Sequence, residues 1–338
     1  MKRGIIILVM LAAVLFGVTG CRKNKNAAAR NADGKINVTT TIFPPYDFVR
    51  QIAGDRVNLS MLLPPGSESH SFEPSPRDII TVQNSDIFIY IGGEGDAWVD
   101  RILRTTKTKN KKILSLMKTV DVVEEVIVEG MEEEQEERER GGYIARFFAW
   151  LTGRSRQNNT QEIEYDEHVW TSPRNAILIV MAITELLCET DTANATWYRQ
   201  NAAAYIEELQ RLDAAFSEVA VGAKRKTFIF ADRFPFRYFA DAYGLSYFAA
   251  FPGCSTETEP SAATVAFLIN KIRVEQIPVV FHIELSNERM ADTISGETGA
   301  KKLLLHACHN ITKRDFDSGL GYLEIMRGNV ENLREALY

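Results

Sequence analysis

With 338 residues, 45% of them apolar and 25% charged, the chain has the proportions of a globular protein large enough for two domains. Its formal charge of −6 speaks against a nucleic-acid partner and suits a cationic ligand. There are only five histidines, so the surroundings of each carry weight.

Met1-Lys2-Arg3 followed by the apolar run Gly4 to Val18 reads as a secretory signal, because a basic start precedes a core too short for a comfortable membrane span. It ends in Val18-Thr19-Gly20-Cys21, which is similar to a bacterial lipoprotein box with valine where leucine is usual. Residues 1–20 are therefore expected to be removed and Cys21 to carry lipid, anchoring the protein outside the cytoplasmic membrane. The polar, alanine-rich stretch 21–34 suits a flexible tether.

The folded part is predicted to begin with a strand over Lys35 to Thr41, a helix over Tyr46 to Ile52 closed by Gly54, and a strand over Val57 to Leu63. A helix over Pro76 to Gln83 and a strand over Ile87 to Ile91 follow. Such alternation argues for a parallel sheet covered on both faces, with ligands gathered at the carboxyl ends of its strands. Leu63 there hands over to the loop that carries His70. Gly92-Gly93-Glu94-Gly95 lacks the lysine and hydroxyl of a phosphate-binding loop.

The pattern breaks between Glu124 and Glu164. Met131 to Arg140 is an acidic run expected as solvated helix or disorder, and Tyr143 to Leu151 is an apolar stretch expected to bury against its own lobe. Next comes Tyr165-Asp166-Glu167-His168-Val169-Trp170-Thr171-Ser172-Pro173, which sets one imidazole between an acidic approach and a helix start. Thr171 or Ser172 caps, and Pro173 suits a first helical position. A neutral imidazole there can bind metal while an upstream carboxylate orients its other nitrogen. On its own, His168 would pass for a surface histidine before a capped helix.

Helices are predicted over Pro173 to Leu187 and Asn194 to Val219, the second with Trp197, Tyr205, Leu209, Leu212, Phe216 and Val219 as its apolar stripe. A second alternating block follows: strands at Thr227 to Ala231, Leu245 to Ala250, Val279 to Ile283 and Lys302 to Leu305. Its helices are expected between Ala231 and Leu245 and at Val265 to Val274, Asn287 to Ile294 and Gly321 to Leu337. The expected fold is α/β, with two similar lobes, each a mainly parallel sheet flanked by helices, joined by one long helix with a ligand cleft between them. Residues 35–193 form the first lobe with its insertion near 124–164, 194–221 the connecting helix, and 222–338 the second lobe. In a compartment that permits disulfides, a Cys254 to Cys308 bridge is preferred, with thiolate ligation by Cys308 the alternative and Cys188 a buried free thiol.

Five stretches together carry a resemblance: Thr39 to Phe48, Leu62 to Asp78 around His70, Tyr165 to Pro173 around His168, Glu257 to Ser261, and Glu297 to Lys301. The chain resembles the solute-binding lipoproteins of zinc and manganese ABC importers over nearly its whole mature length. The resemblance implies a stiff helix that restricts lobe motion, and ligands His70 and His168 from the first lobe. For the second lobe, matching the strand Phe228 to Ala231 places Asp232 at a ligand position, whereas matching the following helix places Arg233 there; only Asp232 can ligate. The last ligand falls on His309, with His306 as its rival and Glu284 as a reserve ligand or supporting carboxylate. The histidine-rich loop that many members carry is missing between His70 and His168.

The function implied is capture of zinc, or else manganese, by a monomer that hands the ion to an ABC permease. Imidazole-rich sets favour zinc. An extracellular zinc hydrolase would need a general base such as Glu167 or Glu284, but the chain has no His-Glu-x-x-His helix. A surface adhesin with incidental metal binding is the third alternative.

Overall fold

The computed structural model describes residues 34–69, 72–105, 111–131, 164–255 and 260–338. The leader over 1–20, almost all of the tether with Cys21, His70, the acidic run beyond Met131, the apolar stretch 143–151 and Glu257 to Glu259 lie outside the described residues. Residues Lys35–Tyr338 form one compact unit. Among the described residues no helix is long and apolar enough to cross a membrane.

The first lobe runs β1 (Ile36–Thr40), α1 (Phe43–Ala53), β2 (Val57–Met61), α2 (Pro76–Asn84), β3 (Ile87–Tyr90), α3 (Ala97–Thr105) and β4 (Lys112–Ser115). After α4 (Pro173–Thr190) and α5 (Ala195–Gly222), the second lobe runs β5 (Thr227–Phe234), α6 (Arg237–Tyr243), β6 (Ser246–Pro252), α7 (Ala262–Glu275), β7 (Val279–His282), α8 (Arg289–Thr298) and β8 (Lys301–Leu304), then α9 (Lys313–Asp317) and α10 (Tyr322–Leu337). The sheets have orders β2-β1-β3-β4 and β6-β5-β7-β8, with every pair parallel. The two lobes thus repeat one topology, as expected for this fold class.

Local chemistry explains most element ends. Pro44 and Pro45 open α1 three residues earlier than predicted, since proline fits the first turn where its missing N–H costs nothing. Ser75 and Asp78 cap α2 reciprocally, the Asp78 amide donating to Ser75 Oγ (3.3 Å) and the Ser75 amide to Asp78 Oδ2 (2.8 Å). The predicted hydroxyl cap on α4 is absent: Ser172 makes no capping bond, and Thr171 Oγ1 donates instead to the His168 carbonyl (2.8 Å). α3, β4 and α9 were not anticipated from the sequence.

Strand alternation splits the apolar residues of each sheet between two faces. Ile87 and Ile89, like Phe228 and Phe230, face one continuous core that includes α5 and extends into both lobes. On the other faces, Phe88 packs with Val82 and Val99, while Ile229 packs with Leu268 and Ile294. The 28-residue α5 is about 42 Å long at helical rise, and its buried stripe is Tyr198, Ala202, Tyr205, Leu209, Leu212, Phe216 and Val219. Trp197, predicted as part of that stripe, is 42% exposed and lies under the Arg56 guanidinium at 4.7 Å. Tyr198 takes the inward position instead, where its hydroxyl donates to Asp191 Oδ2 at 2.9 Å.

Candidate metal centre

The carboxyl ends of both sheets face one cleft, where strand order reverses beside β1 and β5. Two open pockets adjoin there, and His309 lines both. His168 lines the first and Arg233 the second.

His168 precedes a short 3-10 turn over Val169–Thr171 and is fully buried. Asp166, two residues earlier, accepts from the His168 amide (2.8 Å) and lies 3.0 Å from its Nδ1 with the same Oδ1. That contact sets Nδ1 as the protonated nitrogen and puts the ring's lone pair on Nε2. Burial first, then His309 and Arg233, push the His168 pKa well below the ordinary imidazole value, so the ring is neutral at neutral pH. Burial pushes Asp166 up to about 7 against the pull of the His168 amide.

His309 is held by a different device. Glu284, just past β7, accepts from the Ala307 amide with Oε2 (2.7 Å) and from the His309 amide with Oε1 (2.8 Å), and its Oε1 lies 3.6 Å from His309 Nδ1. Burial raises the Glu284 pKa, but His306, His309 and the Ala307 amide outweigh it and hold the carboxyl at about 2. The same turn treats the two histidines differently. The Cys308 amide donates to His306 Nδ1 at 3.0 Å, which engages the lone pair on that nitrogen and puts the proton of the neutral ring on Nε2. Cys308 adopts a left-handed φ of 64° to make that turn.

The His168 and His309 rings lie 4.6 Å apart between centroids, at 78°. Trp170 stands edge-on to both and donates its indole N–H to the Ala307 carbonyl at 2.7 Å, tying the two segments together. Two imidazoles, each with Nδ1 facing a carboxylate, are a donor pair that fits a divalent transition metal. Among the described residues, no group of three or more His, Cys, Asp or Glu side chains is arranged to hold a metal ion. His70 lies outside the described residues.

Two expectations need correction, and one alternative loses support. Asp232 does not join the pair: it accepts from the Arg233 amide (2.9 Å) and the Ile283 amide (3.4 Å). The cause is a bulge in β5, where Phe230 to Arg233 spans three steps against two on β6, Ala249 to Phe251. Such a bulge re-aims side chains. It turns Arg233 into the cleft, where its Nη1 meets Glu68 Oε1 at 3.2 Å and the Ser255 carbonyl at 3.3 Å. Cys254 and Cys308 form no bridge; with Cys188 they are free thiols. Cys308 is buried beside the His306 carbonyl, whereas the Cys254 amide donates to Glu125 Oε1 at 2.9 Å. Finally, burial and Asp96 push Glu167 up to about 8, which leaves it protonated at neutral pH and unfit as a general base. Glu167 packs so closely on the first-lobe glycines that a Cβ at Gly93, whose φ is 84°, would fall 2.6 Å from its Oε2.

The family described as zinc-uptake complex component A, periplasmic, matches residues 38–336. The zinc-binding lipoprotein AdcA of Streptococcus pneumoniae is 32% identical over 335 residues, which is 99% of this chain and 61% of AdcA. The chain therefore spans about three-fifths of that relative's length. The high-affinity zinc uptake system protein ZnuA of Bacillus subtilis is 31% identical over 331 residues, covering 98% of this chain and 97% of that protein. The crystal structure of the Zn(II)-bound ZnuA-like domain of Streptococcus pneumoniae AdcA superposes with a TM-score of 0.69 at 31% identity, covering 90% of this chain and 99% of that one. By sequence match over nearly its whole length and by fold, this chain belongs to the ZnuA family of zinc-uptake components.

Proposed function

We propose that the protein captures zinc outside the cytoplasmic membrane and delivers it to an ABC permease, without catalysing a reaction. The observation that carries this reading is the meeting of His168 and His309 across the cleft, 4.6 Å apart, each backed by a buried carboxylate. Family membership and the zinc-binding names of the relatives support it. In this reading His168 and His309 bind through Nε2, His70 adds a third imidazole, and Glu284 serves as the carboxylate behind His309. Imidazole donors favour zinc over manganese. The lobes are residues 35–193 and 222–338, with 194–221 as the connector.

Titration of the metal-stripped protein with zinc and with manganese tests the proposal. One tight zinc per chain is expected, with a rise in melting temperature as ligand linkage requires. His168→Ala and His309→Ala should each abolish tight binding while leaving the circular dichroism of the fold in place. Unchanged zinc affinity in both variants would remove the site, and a tight preference for manganese would reassign the cargo. Lipidation of Cys21 belongs to the same proposal: Cys21→Ser should move the protein from the membrane fraction to the soluble one.

A further inference from the structure

Asn310 directly follows His309, is 1% exposed, and belongs to the second lobe, yet its side chain bonds to the first. Its Nδ2 donates to the Pro64 carbonyl (2.7 Å) and to the Ser67 carbonyl (2.8 Å), both in the connection from β2 to α2. Its Oδ1 accepts from the Ile311 amide at 2.9 Å. Two main-chain bonds flank it across the same seam, from the Gly66 amide to the Ile311 carbonyl (2.8 Å) and from the Phe43 amide to the His309 carbonyl (3.3 Å).

We propose that Asn310 is a positioning residue, a clamp that holds the β2–α2 connection of the first lobe against the His309 segment of the second and so fixes the spacing at which the cleft grips its metal. The chemistry is specific to a carboxamide. Its planar NH₂ presents two protons in one plane, which two carbonyl oxygens on a single turn of chain can share. A carboxylate of the same shape has no proton for either carbonyl and adds a repelled charge, and a serine hydroxyl has a proton for only one. Asn310 itself is buried while Pro64 is exposed and Ser67 half-buried, so an unmade bond here carries part of the desolvation penalty of the stranded group. No metal–Asn310 contact is invoked; the residue acts through His309 and through the loop it holds.

The inference rests on the proposed capture of zinc at His168 and His309, and one experiment separates the two. The full-length chain, purified in detergent and loaded with one equivalent of zinc, is mixed with excess fluorescent chelator, and the rate of zinc loss is followed. Urea unfolding of the metal-stripped protein is measured alongside. Asn310→Asp should release zinc about tenfold or more faster than the wild type, and Asn310→Ser should fall between them, with stoichiometry unchanged. A residue that merely stabilises the fold would lower the urea midpoint but leave the release rate of the folded, loaded protein unaltered; that result would overturn the clamp. Asn310→Ser supplies the same reading should Asn310→Asp not fold. A wild-type chain that takes up no zinc would instead overturn the capture reading on which the clamp depends.

Discussion

His168 and His309 present the same imidazole to the same cleft, yet the chain holds them in opposite ways. The carboxylate behind His168 is two residues away, in one tight turn. The carboxylate behind His309 comes from the end of another strand, 25 residues earlier, and grips the backbone of the loop as well as facing the ring. A local support orients one side chain, whereas a distant one also assembles the turn that carries it. Losing the first should therefore be felt mainly in metal affinity, and losing the second mainly in stability.

The sharpest way to break this comparison is to truncate both carboxylates. Glu284→Ala strands two buried amides and the His309 ring, and should cost about 3–5 kcal/mol in urea unfolding of the metal-stripped protein. Asp166→Ala should cost less, about 2–3 kcal/mol, because Asp166 accepts from one buried amide, that of His168, where Glu284 accepts from two. It should nonetheless weaken zinc binding 10–100-fold, roughly the effect of removing a carboxylate that orients a metal-bound histidine. Equal stability losses in the two variants would refute the distinction.

A smaller effect sharpens the contrast between buried acids in the two lobes. Asp96 accepts from the Ile91 and Gly92 amides at 2.7 and 3.3 Å, but burial outweighs those bonds and raises its pKa to about 6. The unfolded chain loses this proton near its ordinary pKa of 3.8, before the folded one does. Stability is thus expected to fall as pH rises from about 4 to about 6 and to level off above, by up to about 3 kcal/mol from this group. Asp96→Asn should remove that slope; a slope unchanged in the variant would show that other groups produce it.

What was legible beforehand follows the same division between local and distant causes. The β1, α2, α4 and α10 regions announce themselves through short-range signals: alternation, a proline at a helix start, a capping serine. The Asp166–His168 turn is equally local, and an acidic approach to a histidine is visible in the sequence. Arg233 and Asp232 were not separable, because the bulge that turns one inward and the other away is set by pairing with β6 and by the Ile283 amide. Glu284 was placed near the site, but its grip on the Ala307 and His309 amides depends on β7 and β8 lying side by side. Asn310 left no signal at all, since an asparagine after a histidine is commonplace until the carbonyls of Pro64 and Ser67 are seen beside it. The segment Ala97–Thr105 went unread because it follows a glycine-rich loop and is only nine residues long.

Trp170 has a consequence outside energetics. It is fully buried, stands edge-on to both cleft imidazoles, and hydrogen-bonds across the seam, whereas Trp197 lies half-open to solvent on the far spine helix. One of the chain's four tryptophans therefore sits where its emission reports on the cleft, and Trp170→Phe would isolate that signal from the other three.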